Sequence, residues 1–221
     1  MRRRTWWILG GGLALVVLAL VAGPLVYAAL EEDAPPARTV QAQPEGAPLI
    51  EDTDGTWTVA AGSTAGYRVD EVLNGADVTV AGTTDQVTGQ VVVEGGSMTS
   101  AEVVVDIASV ATDNGRRDGY FRDNVMDVAQ FPTATFTVTG PVDLPELTGT
   151  PVTVPVTGEL TVKGTTREVA TELSAVRTPE GVEVSGSVPV TFADHGVEPP
   201  NLGFVRVEDA GAVEFLLRLT R

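Results

Sequence analysis

Few side chains in this chain are equipped for chemistry. His195 is the single histidine and stands next to Asp194, a pair able to pass a proton. No cysteine exists and no serine motif accompanies the pair, so no nucleophile–base arrangement can be assembled, and Asp194-His195 reads as part of a turn. Asp113, Asp118, Asp123 and Asp127 gather carboxylates of the kind calcium favours. Their spacing lacks the Asp-x-Asp-x-Asp-Gly pattern, and a solvated face is the better reading. Arg116, Arg117 and Arg122 form the basic cluster of the chain beyond its N-terminal tip. Arg117 and Arg122 are candidates to meet an anionic head group, and neutralisation by Asp118, Asp123 and Asp127 is the competing reading. The glycines fall at turns and form no phosphate-binding loop. These residues describe a protein that is not an enzyme and has neither a metal site nor a cofactor.

Composition narrows the field further. With 14 Lys+Arg against 30 Asp+Glu the formal charge is −16, and Lys163 is the only lysine. Such a surface repels phosphate backbones, which excludes nucleic acid as a partner. The lack of cysteine removes disulfides and thiolate metal sites together.

Residues 6–30 contain no charged side chain across 25 positions. As a helix this run would extend about 37 Å at ~1.5 Å per residue, enough to cross a hydrocarbon core of about 30 Å with some tilt. Arg2, Arg3 and Arg4 precede it, and Glu31, Glu32 and Asp33 follow it. The positive-inside rule then puts the N-terminus in the cytoplasm and the remainder outside. Residues 1–30 therefore read as a cytoplasmic tip and single-pass anchor in the cell membrane. A cleaved signal peptide, ending near Val26-Tyr27-Ala28, is the alternative and would give a secreted domain; its usual apolar core of ~7–15 residues is shorter than this run. Residues 31–52, rich in proline and acid, predict an extended linker.

From Thr53 the pattern has period two. Val152, Val154, Val156, Leu160 and Val162 alternate with Thr153, Pro155, Thr157, Glu159 and Thr161. Similar rows occur over 182–192 and 213–219, and more briefly at Ala134/Phe136/Val138 and Val103/Val105/Ile107. Each reads as a half-buried strand with one wet face. No long amphipathic helix separates the rows, which argues for antiparallel order in an all-β barrel or sandwich over residues 53–221. Residues 114–132 break the alternation. Phe121, Val125 and Val128 at i, i+4 and i+7 predict a short helix across an open end, with Asp118 and Arg122 as an i,i+4 pair.

Five segments, in order, carry a resemblance. They are Val105-Asp106; Arg117-Asp118 followed by Phe131-Pro132-Thr133-Ala134-Thr135-Phe136; Gly158 to Arg167 (GELTVKGTTR); Phe192 to Val197 (FADHGV); and Asp209 to Phe215 (DAGAVEF). Together they resemble the YceI-like family. The resemblance implies an antiparallel, lipocalin-like β-barrel with a helix near its mouth, an exported location, and an isoprenoid or similar lipid held inside. One departure is at Ala65-Gly66-Tyr67-Arg68-Val69-Asp70-Glu71, which lacks the histidine that many members carry in their first strands.

A barrel of about eight strands can fill its interior with side chains or hold one small ligand. The inward rows here are mostly valine, with few aromatics, which favours a dry apolar cavity over a filled one. Phe131, Phe136, Val138, Leu160, Val190, Phe192 and Phe204 are the expected wall, with Phe121 and Val125 as inward-facing contacts of the lid. The expected function is an extracytoplasmic carrier that holds an isoprenoid or fatty-acyl chain. A surface-displayed β-domain for adhesion or protein interaction, without a small ligand, is the alternative.

Overall fold

A computed structural model describes residues 33–221. The anchor reading of residues 1–30 lies outside the described residues, and among these no helix is long and apolar enough to cross a membrane. The period-two rows form strands β1 (Gly55–Val59), β2 (Thr64–Leu73), β3 (Ala76–Thr84), β4 (Val87–Glu94), β5 (Ser97–Asp106), β6 (Thr133–Val138), β7 (Val142–Asp143), β8 (Val152–Val162), β9 (Thr165–Arg177), β10 (Val182–Thr191) and β11 (Val205–Thr220). Every strand pairing is antiparallel.

The sheet closes on itself. β11 pairs with β10 along one edge and with β2 and β1 along the other, Phe215 facing Ala65 and Leu219 facing Val59. β1 and β2 are one stave, kinked at Ala60 to Ser63, where Gly62 has φ +87°. The buried Ser63 spans the kink: its hydroxyl donates to the Ala60 carbonyl at 2.7 Å and accepts from Arg218 N–H at 2.9 Å. β3 and β4 are likewise one stave, interrupted at Asp85-Gln86. With β5, β6, β8, β9, β10 and β11 this makes an eight-stranded, all-β antiparallel barrel, as the alternation and the resemblance predict.

The two prolines inside strands sit where a neighbour has ended. Pro155 precedes the part of β8 that pairs with β6, and Pro189 lies in the half of β10 that has separated from β9. Proline has no N–H to offer a ladder and is tolerated where no second strand needs one.

The segment predicted as helix does cross one end of the barrel. Asn114 caps α1 (Gly115–Tyr120) through its side-chain oxygen, which accepts from Arg116 N–H at 3.0 Å and from Arg117 N–H at 3.4 Å. The helix widens into π-type turns over Phe121–Met126 and ends at Asp127, φ 49°. Val125 and Met126 are buried against Ile107 and Val197, with Phe121 and Val128 packed beside them. The expected Asp118–Arg122 pair does not form: the Asp118 carboxylate is buried and accepts from Thr112 N–H at 2.9 Å and Thr112 O–H at 2.7 Å. Two bonds from a close, rigid neighbour outweigh an exposed ion pair worth a few tenths of a kcal/mol.

Residues 33–50 contain no helix or strand, as their composition requires, but they are a strap bound to the wall rather than a loose tether. Ala34 N–H donates to the Thr79 carbonyl, Arg68 to the Pro35 carbonyl, Gln43 N–H to the Gly149 carbonyl and Ile50 N–H to the Thr178 carbonyl. Val40 is the anchor: it is 6% exposed, packs on Val176 and Leu216 on the outer face, and donates its N–H to Ser185. One well-placed valine contributes roughly 1.5–3 kcal/mol of burial, which a composition average does not register. Val40→Asp would force a carboxylate into this apolar seat. Trypsin cleavage after Arg38, followed in the native protein, should accelerate at least tenfold in this variant.

Candidate functional site

The inward rows meet in a lumen divided into two parts. At the end crossed by α1 the lumen is filled. Leu160, Val188 and Val190 are buried together, with Val162, Val169, Val213 and Phe192 packed on them, and the Val125–Met126 cluster seals the end. At the waist, Phe136 and Phe215 project inward. Each ring fits because a neighbouring position on the adjacent strand is glycine, diagonal to Phe136 and directly opposite Phe215: a Cβ at Gly158 would lie 2.5 Å from Phe136 Cζ, and one at Gly186 would lie 2.7 Å from Phe215 Cζ. No larger residue could stand at these positions without displacing the rings.

Beyond the waist lies an apolar void of about 90 Å³. Trp57, Met98, Ala101, Val103, Val154, Leu173, Ala175, Val182 and Leu217 are among its walls, and Thr53 is the sole polar residue in the lining. Leu144 and Leu147, from the connection between β6 and β8, close its outer end. A cavity lined this way stays dry. Its size is somewhat over half that of the ~150 Å³ engineered cavity that accepts benzene, so a long chain would have to push side chains or the closing segment aside.

The predicted wall residues divide accordingly. Phe136 and Val138 line the void. Leu160, Val190 and Phe192 belong to the filled half, and Val125 and Phe121 to its seal. Phe131 packs against the turn at Gly164, where a Cβ would meet its ring at 2.6 Å. Phe204 stands outside the lumen, 57% exposed, its carbonyl accepting from Asn74 N–H at the tip of the β2–β3 hairpin. It precedes β11, so strand alternation does not govern its direction. The helix crosses the end packed by the Val125–Met126 cluster, and none of its residues lines the void. The residues not anticipated, Trp57, Met98 and Leu147 above all, come from short or irregular stretches, whereas Phe215 stands in the alternating row over 213–219. Leu217 and Leu219 followed from the alternation over 213–219.

The polar candidates are also placed. Arg117 lies 2.8 Å from Asp113 and 3.5 Å from the buried Glu71, so its charge is committed within the protein. Arg122 lies on the same end segment, remote from the void. His195 is buried, and its Nδ1 donates to the Thr165 carbonyl at 3.1 Å, fixing the turn after β10. Tyr67, the residue at the departure from the family motif, stacks on Phe121 with ring centroids 4.9 Å apart. Burial pushes its phenol up to about 12; Arg117 pulls it down, and Asp118, Glu71 and Asp113 push it up.

A closed antiparallel barrel with a dry apolar interior is the architecture of a small-ligand container. The chain belongs to the YceI-like family, whose domain model matches residues 57–219. Among solved structures it is similar to a polyisoprenoid binding domain from Saccharophagus degradans implicated in plant cell wall breakdown, at 22% identity and a TM-score of 0.61, covering 75% of this chain and 97% of that one. It is also similar to BcnA of Burkholderia cenocepacia, at 19% identity and a TM-score of 0.57, covering 75% of this chain and 96% of that one. These likenesses show the fold. None of the curated proteins matches this chain.

The Tyr67 phenol supplies a test of this end of the barrel. Unfolded tyrosine ionises near 10 and the folded residue near 12, so between those values the unfolded state holds fewer protons. Stability should therefore fall as pH rises from about 10 towards 12. In absorbance titration at 295 nm, one phenol should ionise last, and Tyr67→Phe should remove that late step.

Proposed function

We propose that the protein is an extracytoplasmic carrier that holds an isoprenoid or another long-chain lipid in its lumen, without catalysis and without a cofactor. The observation that carries this reading is the dry void beyond the Phe136–Phe215 waist, bounded by apolar side chains and a single threonine. Each CH₂ moved from water into such a space contributes ~0.8 kcal/mol, so a branched or straight hydrocarbon gains steadily with the length enclosed. Membership of the YceI-like family and the likeness to a polyisoprenoid binding domain support the same ligand class.

The proposal extends to location. The uncharged run at 6–30, with arginines before it and acids after it, would anchor the chain in the cell membrane by one span with the barrel outside. A carrier held at a bilayer draws on the compartment where such lipids reside.

Organic extracts of the purified full chain, analysed by mass spectrometry, should contain a stoichiometric isoprenoid or acyl species. Ala101→Phe places a ring in the void while the barrel stays closed, since overpacking of this kind costs about 1–3 kcal/mol. Lipid recovered from that variant should drop at least tenfold at unchanged far-ultraviolet circular dichroism. Equal recovery from both proteins would place the lipid elsewhere and refute the lumen as its site.

A further inference from the structure

The inward row of β9 runs Leu173, Ala175 and then Arg177, because alternate residues of a strand share a face. Leu173 and Ala175 line the void; Val176, between them and Arg177 in sequence, faces outward beneath Val40. Arg177 pairs in the ladder with Val182, itself a wall residue. A cation thus terminates an apolar row at the end of the void closed by Leu144 and Leu147.

The partners of this guanidinium are all neutral. Its Nη1 donates to the Leu147 carbonyl at 3.2 Å, and its Nη2 donates to the carbonyls of Ile50 and of Glu51, the latter at 2.6 Å. Its Nε is buried and has no partner. No carboxylate lies within ion-pair distance of Arg177 among the described residues, whereas Arg68, Arg117, Arg206 and Arg218 each meet one. Arg38, Arg116, Arg122, Arg167 and Arg221 also meet no carboxylate, but among the described residues Arg177 alone keeps a buried side-chain nitrogen without a partner. Carbonyl dipoles satisfy some of its five donors but do not neutralise it. A second cation stands at the same rim: Arg221 lies over the Trp57 ring, 4.5 Å from its centroid, and donates to the Asp52 carbonyl.

We propose that Arg177 is the head-group subsite of the lumen. It receives the single anionic group, carboxylate or phosphate, of a chain whose hydrocarbon lies in the void. The assignment rests on the container reading above and adds to it a polarity: tail towards the Phe136–Phe215 waist, head towards the strap. The bonds Arg177 now makes hold residues 50–51 and 147 across that end. An anion taking them over, two oxygens against two N–H groups, would release those segments and open the end through which the chain passes. Access at the α1 end is blocked by the packed Val125–Met126 cluster, and Arg117 there is already matched to Asp113 and Glu71.

The test compares four probes on the full chain in detergent by native mass spectrometry: palmitate, hexadecanol, farnesyl phosphate and farnesol. The wild-type protein should favour at least one anionic probe over its neutral counterpart by about tenfold or more, as a charge-assisted bond requires. The head group so favoured distinguishes a fatty acid from a prenyl phosphate. Arg177→Met keeps the apolar stem and should abolish the preference while retaining the neutral probe; Arg177→Lys should keep part of it; Arg122→Met, at the other end, should keep all of it. An undiminished preference in Arg177→Met, or its loss in Arg122→Met, overturns the assignment. Equal binding of anionic and neutral probes by the wild type overturns the assignment and leaves the container reading standing. Binding of no probe overturns both.

Discussion

Ring closure by β11 is the constraint on which the rest of the molecule depends. This strand is long enough, Val205–Thr220, to serve β10 throughout one side and two successive strands on the other. An open sheet of this length would expose a row of unpaired backbone groups on β1 and β2. Closing it satisfies those groups and, at the same time, creates an interior that every strand must face with alternate residues. Once the ring exists, the valine rows have no choice but to bound a common space.

How that space is divided follows from a few bulky side chains. Phe136 and Phe215 take the waist because Gly158 and Gly186 leave room on the adjacent strands. On one side of this waist, branched aliphatics and the helix segment fill the volume; on the other, the walls hold apart around about 90 Å³. The filled half supplies rigidity and the other half supplies capacity. The turns and connections at the two ends differ in kind to match: one is sealed by packed apolar side chains, the other by backbone carbonyls gathered on an arginine.

Much of this was legible in the sequence because period-two alternation is a local signal. The rows at 134–138, 152–162, 182–192 and 213–219 carry both the strands and the faces they turn inward, and Phe136 and Val138, from the first of them, line the void. Gly158 was visible as a break in an apolar row, but the ring that covers it was not: Phe136 pairs with Leu160 and reaches Gly158 diagonally, which depends on the register between β6 and β8. Phe204 was misjudged for the opposite reason: it is apolar yet lies before its strand begins, where no alternation applies. The helix was found by its stripe, but which end it crosses relative to the void depends on where the waist falls, a property of packed volume. Arg177 was unreadable as an inward position because a charged residue directly after Val176 and before the Thr178 turn reads as the wet end of a strand, and only the ladder with Val182 fixes its face. The strap escaped notice because composition describes an average, and a single valine seated in a groove of the outer wall decides its course.

That strap has a consequence for reach. A loose coil of about twenty residues would let the barrel wander some 25 Å from its point of attachment. Bound along the wall from the Asp33 carboxylate, which accepts from Thr79 N–H at 2.9 Å, to Ile50, the same residues provide almost no slack. Asp33 is thereby fixed beside β3, and the stretch from Asp33 to Ile50 has a defined heading along the wall rather than the freedom of a coil.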